Sequence, residues 1–132
     1  MSAVRMFDLI IVGQGLAGSV LYWQARFRGL NCCLIDPGGE HSASAIAAGL
    51  ITPITGQRLT LAQRWGEYWG EAGRLYRSIE QHTRTELLIE TPALRWFASA
   101  EERDLFQRRM AAGDYAGLQV QAWGPEGHLE CL

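Results

Sequence analysis

The 132-residue sequence contains no lysine; all 12 of its basic residues are arginine. That absence excludes Schiff-base chemistry through lysine, pyridoxal phosphate with it, and any phosphate-binding loop that depends on a lysine. Cysteine is sparse. The three thiols include the adjacent pair Cys32 and Cys33. Neighbours on a strand point to opposite faces, so each reads as a small packed hydrophobe rather than part of a disulfide framework. Long apolar runs are also missing. Leu9 to Val12 is too short for a signal-peptide core, and nothing approaches the length of a membrane helix. A net charge of -2 and a pI near 5.9 offer no attraction to nucleic acid or acidic lipid. The expectation is a reduced, cytoplasmic protein with a small-molecule partner.

What is present is globular in composition, with 48% hydrophobic and 20% charged residues. Residues 8–36 read DLIIVGQGLAGSVLYWQARFRGLNCCLID. Leu9 to Val12 is a continuous apolar run, as in a strand buried on both faces of a parallel sheet. Gly13 to Gly18 is a turn, and Leu16 to about Arg28 a helix with Leu16, Val20, Trp23 and Phe27 on one face. Gly29 stops that helix, and Cys32 to Ile35 forms a second strand ending at Asp36. Ser42 to Ala48 predicts a short helix, and Leu50 to Ile54 an extended segment. Thr60 with Gln63 makes a capping box, opening a helix whose face carries Leu61, Trp65, Tyr68, Trp69, Ala72, Tyr76 and Ile79. Leu87 to Glu90 and Leu94 to Ala98 read as paired strands around Thr91-Pro92. Ser99 with Glu102 caps a further helix ended by Gly113. Leu118 to Trp123 alternates like a half-buried strand, Gly124-Pro125 turns it, and no terminal element is evident after that.

The fold class expected is therefore α/β: a Rossmann-like, dinucleotide-binding βαβ unit followed by the start of an α+β domain. The segments are 1–58 for the cofactor, 59–84 as a connecting helix, and 85–132 as a partial antiparallel domain. One crossover gives two parallel strands, fewer than a nucleotide-binding sheet normally has.

Gly13-x-Gly15-x-x-Gly18 gains meaning from the strand before it, the helix after it and the acid closing the next strand. Gly13 permits the tight turn, and Gly15 lets backbone approach a pyrophosphate attracted by the amides of Gln14, Leu16 and Ala17 at the helix start. Gly18 lets helix and strand pack closely. Asp36 accepts from ribose hydroxyls and repels a 2′-phosphate, which argues against NADP. The competing reading is a glycine-rich turn in an unrelated α/β protein. Tyr22 departs from the pattern, because a small residue usually stands there. It would push the helix off the sheet unless a neighbouring strand leaves room.

The crossover alone does not separate FAD from NAD. The next segment, SASAIAAGLITP at residues 42–53, resembles the stretch after the second strand in the D-amino-acid oxidase, glycine oxidase and sarcosine oxidase family of FAD-dependent oxidoreductases. The resemblance implies FAD as cofactor, an amine or amino-acid substrate, Ser42, Ala43 and Ser44 at the pyrophosphate, and Ala48, Gly49 and Leu50 near the flavin ring. Small residues there leave space for a large planar group. The similarity is specific over residues 8–56, and the chain resembles the N-terminal third or so of such an enzyme.

Other residues are assigned bland roles. The tryptophan-rich face reads as packing, and His41 as a solvated loop residue beside the second motif. His82 and His128 have no partners at metal-ligand spacing, so no metal is expected. No residue is assigned a catalytic role, since flavin amine oxidation needs no protein nucleophile. Two alternatives stay open: an NAD-binding domain, and a catalytically silent module that self-associates through exposed strand edges.

Overall fold

A computed structural model of the chain describes residues 6–38, 42–123 and 128–131. His41 and the expected Gly124-Pro125 turn lie outside the described residues. The chain divides into two compact units, Met1–Leu50 and Ile51–Leu132.

In the first unit, strand β1 (Leu9–Val12) leads through the glycine turn into helix α1 (Leu16–Phe27), which returns the chain to strand β2 (Cys32–Ile35). The strands pair in parallel, Leu9 opposite Cys32 and Val12 opposite Ile35. α1 stops as expected, with Gly29 at φ 80, a left-handed conformation that glycine adopts without a Cβ clash. Two expectations about packing are corrected. β1 is covered on one face: Ile11 is 5% exposed, while its neighbours Ile10 and Val12 are 59% and 81% exposed. The helix does not bury the whole of its expected face: Leu16 and Phe27 are exposed, while Val20 and Trp23 are half-buried. Its buried residue is Ala25, and a methyl group at Gly18 would stand 3.5 Å from Ile11 Cγ2. Gly18 and Ala25 are two turns apart, and their small size sets the helix close to the sheet, leaving Leu16 and Phe27 exposed. After β2, the short helix α2 (Ala43–Ile46) follows, capped by Ser42, whose hydroxyl accepts from the Ala45 amide at 3.2 Å.

The second unit begins with a hairpin of β3 (Ile54–Thr55) and β4 (Thr60–Leu61), with Thr55 opposite Thr60. Thr60 thus serves the ladder, and the expected Thr60–Gln63 capping box does not form. Helix α3 (Trp65–Thr83) starts later, behind Arg64 in a left-handed conformation with φ 56. The Arg64 guanidinium holds Glu67 by ion pairing, donates to Tyr68 Oη at 2.9 Å, and lies 4.9 Å from the Tyr68 ring centre. Of the expected face, Ile79 is buried and Trp65 stacks on Trp69 with ring centres 5.4 Å apart.

The expected strand at Leu87–Glu90 is absent, because its amides are used elsewhere. Glu80 Oε1 accepts from the N–H groups of Leu87 and Leu88 at 2.7 and 2.9 Å. Strand β5 (Ala93–Trp96) pairs instead with β7 (His128–Cys131), which also pairs with β6 (Val120–Trp123), giving an antiparallel order β5-β7-β6. β7 is the terminal element that the sequence reading lacked. Helix α4 (Ala100–Ala112) begins as expected: Ser99 Oγ accepts from the Glu102 amide at 3.3 Å, and Gly113, at φ 78, ends it. Glu102 reaches back to the amide of Ala98 at 2.7 Å and to the Arg95 guanidinium at 2.8 Å. The core comprises Ile54, Leu59, Phe106 and Tyr115, with Leu61, Phe97, Leu105, Leu118 and Val120 packed against it.

Candidate cofactor site

Gly13 leaves β1 at φ 97, a value costly for any residue with a Cβ, while its amide still donates to Ile35 O at 2.8 Å. The turn therefore opens directly beside the end of β2. At Gly18 the constraint is steric: a Cβ there would lie 1.9 Å from Gly13 O. No side chain fits without opening the loop. Gly15 is the N-cap of α1 and offers no capping side chain, and the first turn carries no acid. The positive end of the helix dipole is thus left for an anion from outside.

The loop amides point at two side chains from the following segments. Gln14 N donates to Asp36 Oδ2 at 2.6 Å, and Leu16 N donates to Ser44 Oγ at 2.9 Å. The other Asp36 oxygen accepts from Gly38 N at 2.8 Å. A carboxylate offers about four acceptor positions, so these bonds orient Asp36 at the loop and leave capacity for ribose hydroxyls. Ser44 Oγ also lies 3.2 Å from the Cβ position of Gly15. The structure thus gathers Gly13, Gln14, Gly15, Leu16, Gly18, Asp36 and Ser44 around one turn. Ala17 stands in the first turn of α1, and Ser42 and Ala43 open α2. Ala48, Gly49 and Leu50 are exposed, and among the described residues no hydrogen bond ties them to the loop.

Tyr22 has found room. It lines an open cavity of about 310 Å³ with Gln14, Ser19, Trp23, Cys32 and Leu34, and its ring meets Trp23 edge to face at 5.7 Å. Ser19, whose hydroxyl donates to Gln14 O at 3.2 Å, was not anticipated. Its spacing, one residue past the last motif glycine, was the available signal.

A strand, a turn that needs glycine at positions 13 and 18, a helix whose N-cap glycine carries no side chain and an acid at the tip of the parallel neighbour make the arrangement in which proteins seat a dinucleotide diphosphate. The model of the FAD dependent oxidoreductase family matches residues 8–131, and the chain belongs to that family. FAD is its cofactor, and the chemistry of the cradle fits it, since an acid-free helix start suits a diphosphate and the Asp36 carboxylate beside it suits a ribose hydroxyl. No solved structure matches the chain. Among the described residues, no helix is long and apolar enough to cross a membrane.

Proposed function

We propose that this chain carries the cofactor-binding portion of an oxidoreductase of the amino-acid or amine oxidase type. The observation that carries the reading is the convergence of the Gln14 and Leu16 amides with Asp36 and Ser44 on one glycine turn. In this reading the amides of Gly13 through Gly18 hold the diphosphate, Asp36 holds the ribose, Ser42 to Ser44 border the diphosphate, and Ala48 to Leu50 lie along the flavin. FAD supplies the hydride-accepting ring when bound. The residues of this chain orient it: glycine backbone removes steric obstacles, the α1 dipole offsets phosphate charge, and Asp36 disfavours a cofactor with a 2′-phosphate.

The exposed face of β1 and β2, with Ile10, Val12 and Ile35 each more than half exposed, supports a further part of the proposal. Apolar strand residues of this kind normally lie under a second layer, so the chain is read as the N-terminal part of a larger enzyme. The same face favours a second reading, a silent module that self-associates through it.

Purified protein is expected to release FAD on denaturation, and FAD is expected to raise its melting temperature while NAD does not. Stabilisation by NAD alone would reverse the cofactor assignment. Flavin-free protein that forms dimers and ignores both nucleotides would favour the silent module.

A further inference from the structure

Leu16 opens α1, and its N–H is one of the donors that a helix leaves for an outside acceptor. Here the acceptor is Ser44 Oγ at 2.9 Å, from a residue 28 positions further along. The same oxygen stands 3.2 Å from the place where a side chain at Gly15 would begin. It therefore stands over Gly15 and uses the Leu16 amide, one of the donors at the helix start that suit an anion. One N–H makes one well-aligned bond, since alignment decides its strength. The hydroxyl and an incoming phosphate oxygen compete for it.

The segment that carries Ser44 has little else to hold it. α2 is four residues long with no buried residue, and residues 42–50 are all exposed. Among the described residues, the bond from Leu16 to Ser44 is the hydrogen bond that joins this segment to the glycine loop. Gly49, at φ 69, gives its far end a conformation open to glycine.

We propose that Ser44 is a latch on flavin loading. In flavin-free protein its hydroxyl closes residues 42–50 onto the glycine loop, and it leaves Leu16 N before a diphosphate oxygen takes that amide. Ser44 thus stabilises the empty site and slows entry. The proposal rests on the reading of this loop as the FAD diphosphate site.

The test mixes flavin-free protein with FAD in a stopped-flow instrument, follows quenching of flavin fluorescence, and records the melting temperature of the flavin-free forms. Ser44→Ala is expected to load FAD roughly threefold to tenfold faster, the factor set by one ordinary hydrogen bond, and to melt at a lower temperature without flavin. Ser44→Thr keeps the hydroxyl and is expected to load at the wild-type rate. Ser44→Cys, similar in size but a weak acceptor, is expected to fall between them, and it carries the test if the alanine variant does not fold. Loading at or below the wild-type rate in both the Ala and Cys variants would overturn the latch and leave Ser44 as a phosphate contact. Wild-type protein that takes up no FAD would overturn the loop assignment, and the latch with it.

Discussion

In the second unit Phe106 sits between Phe97 and Tyr115, with ring centres 5.3 and 5.7 Å away, and Leu59 beside them is fully buried. In the first unit the buried side chains among the described residues are Ile11 and Ala25. What organises that unit is a turn that excludes Cβ atoms and two hydrogen bonds from its amides to Asp36 and Ser44. One unit is held by packing that exists without any ligand. The other is arranged around a place for one, so its stability is expected to depend on cofactor as the packed unit's does not.

The sharpest way to break this contrast is to damage each unit separately. Phe106→Ala removes the centre of the aromatic core, and about 3–5 kcal/mol of stability in residues 51–132 is expected to go with it, read from chemical denaturation. A loss below 1 kcal/mol would mean that the core is not what holds this unit. Gly18→Ala acts on the other side. With its Cβ 1.9 Å from Gly13 O the loop must open, misplacing amide bonds together worth about 2–3 kcal/mol to a charged ligand. FAD affinity is expected to fall roughly 30- to 150-fold, measured by flavin titration. Unchanged affinity would remove the loop from the cofactor site.

Smaller effects refine the comparison. Tyr115 Oη donates to Leu59 O at 2.6 Å, holding a buried residue that is left-handed at φ 49. Tyr115→Phe strands that carbonyl, and a loss of about 1–3 kcal/mol in the second unit is expected, checked by denaturation with flavin absent. Asp36→Asn keeps an acceptor for Gln14 N but drops the charge. A roughly tenfold weaker hold on FAD and a smaller penalty against a 2′-phosphate are expected, and competition by NADP and NAD measures both.

The smallest effect concerns acid. Glu80 and Glu102 are both held below the usual carboxyl pKa: Glu80 by the Leu87 and Leu88 amides, Glu102 by the Ala98 amide and then by Arg95. A lowered folded-state value stabilises the fold fully above the ordinary carboxyl pKa of about 4.3, and that stabilisation is lost as pH falls from there through the lowered value. Residues 84–88 are therefore expected to loosen in acid, with amide shifts of Leu87 and Leu88 following Glu80. Glu80→Gln should abolish that dependence. Persistence of the titration in the variant would assign it to another group.

The sequence disclosed much of the first unit, because its constraints are local. A glycine at a left-handed turn, a glycine against a carbonyl and an acid at a strand tip are each readable at single positions. Gly18 was legible as the close contact of α1 with its strand, whereas Ala25 was not, since apolar periodicity favours large residues. The second unit was harder because its pairings are long-range. Nothing near Leu87 shows that Glu80 will take its amide, and β5 finds its partner more than 30 residues away at β7. Ser99 and Glu102 were legible for the opposite reason, since a cap is complete within four residues. At Asp36 and Ser44 the residues were identifiable but their partners were not, because the bonds to Gln14 and Leu16 span the whole crossover.

Hydrogen exchange on the protein with and without FAD tests the central claim most directly. Added FAD is predicted to slow exchange at the amides of residues 13–18 and in residues 36–50, leaving the Ile54, Leu59, Phe106 and Tyr115 core little changed, while NAD does neither. Exchange in residues 13–18 that ignores FAD, or protection confined to residues 51–132, would contradict it.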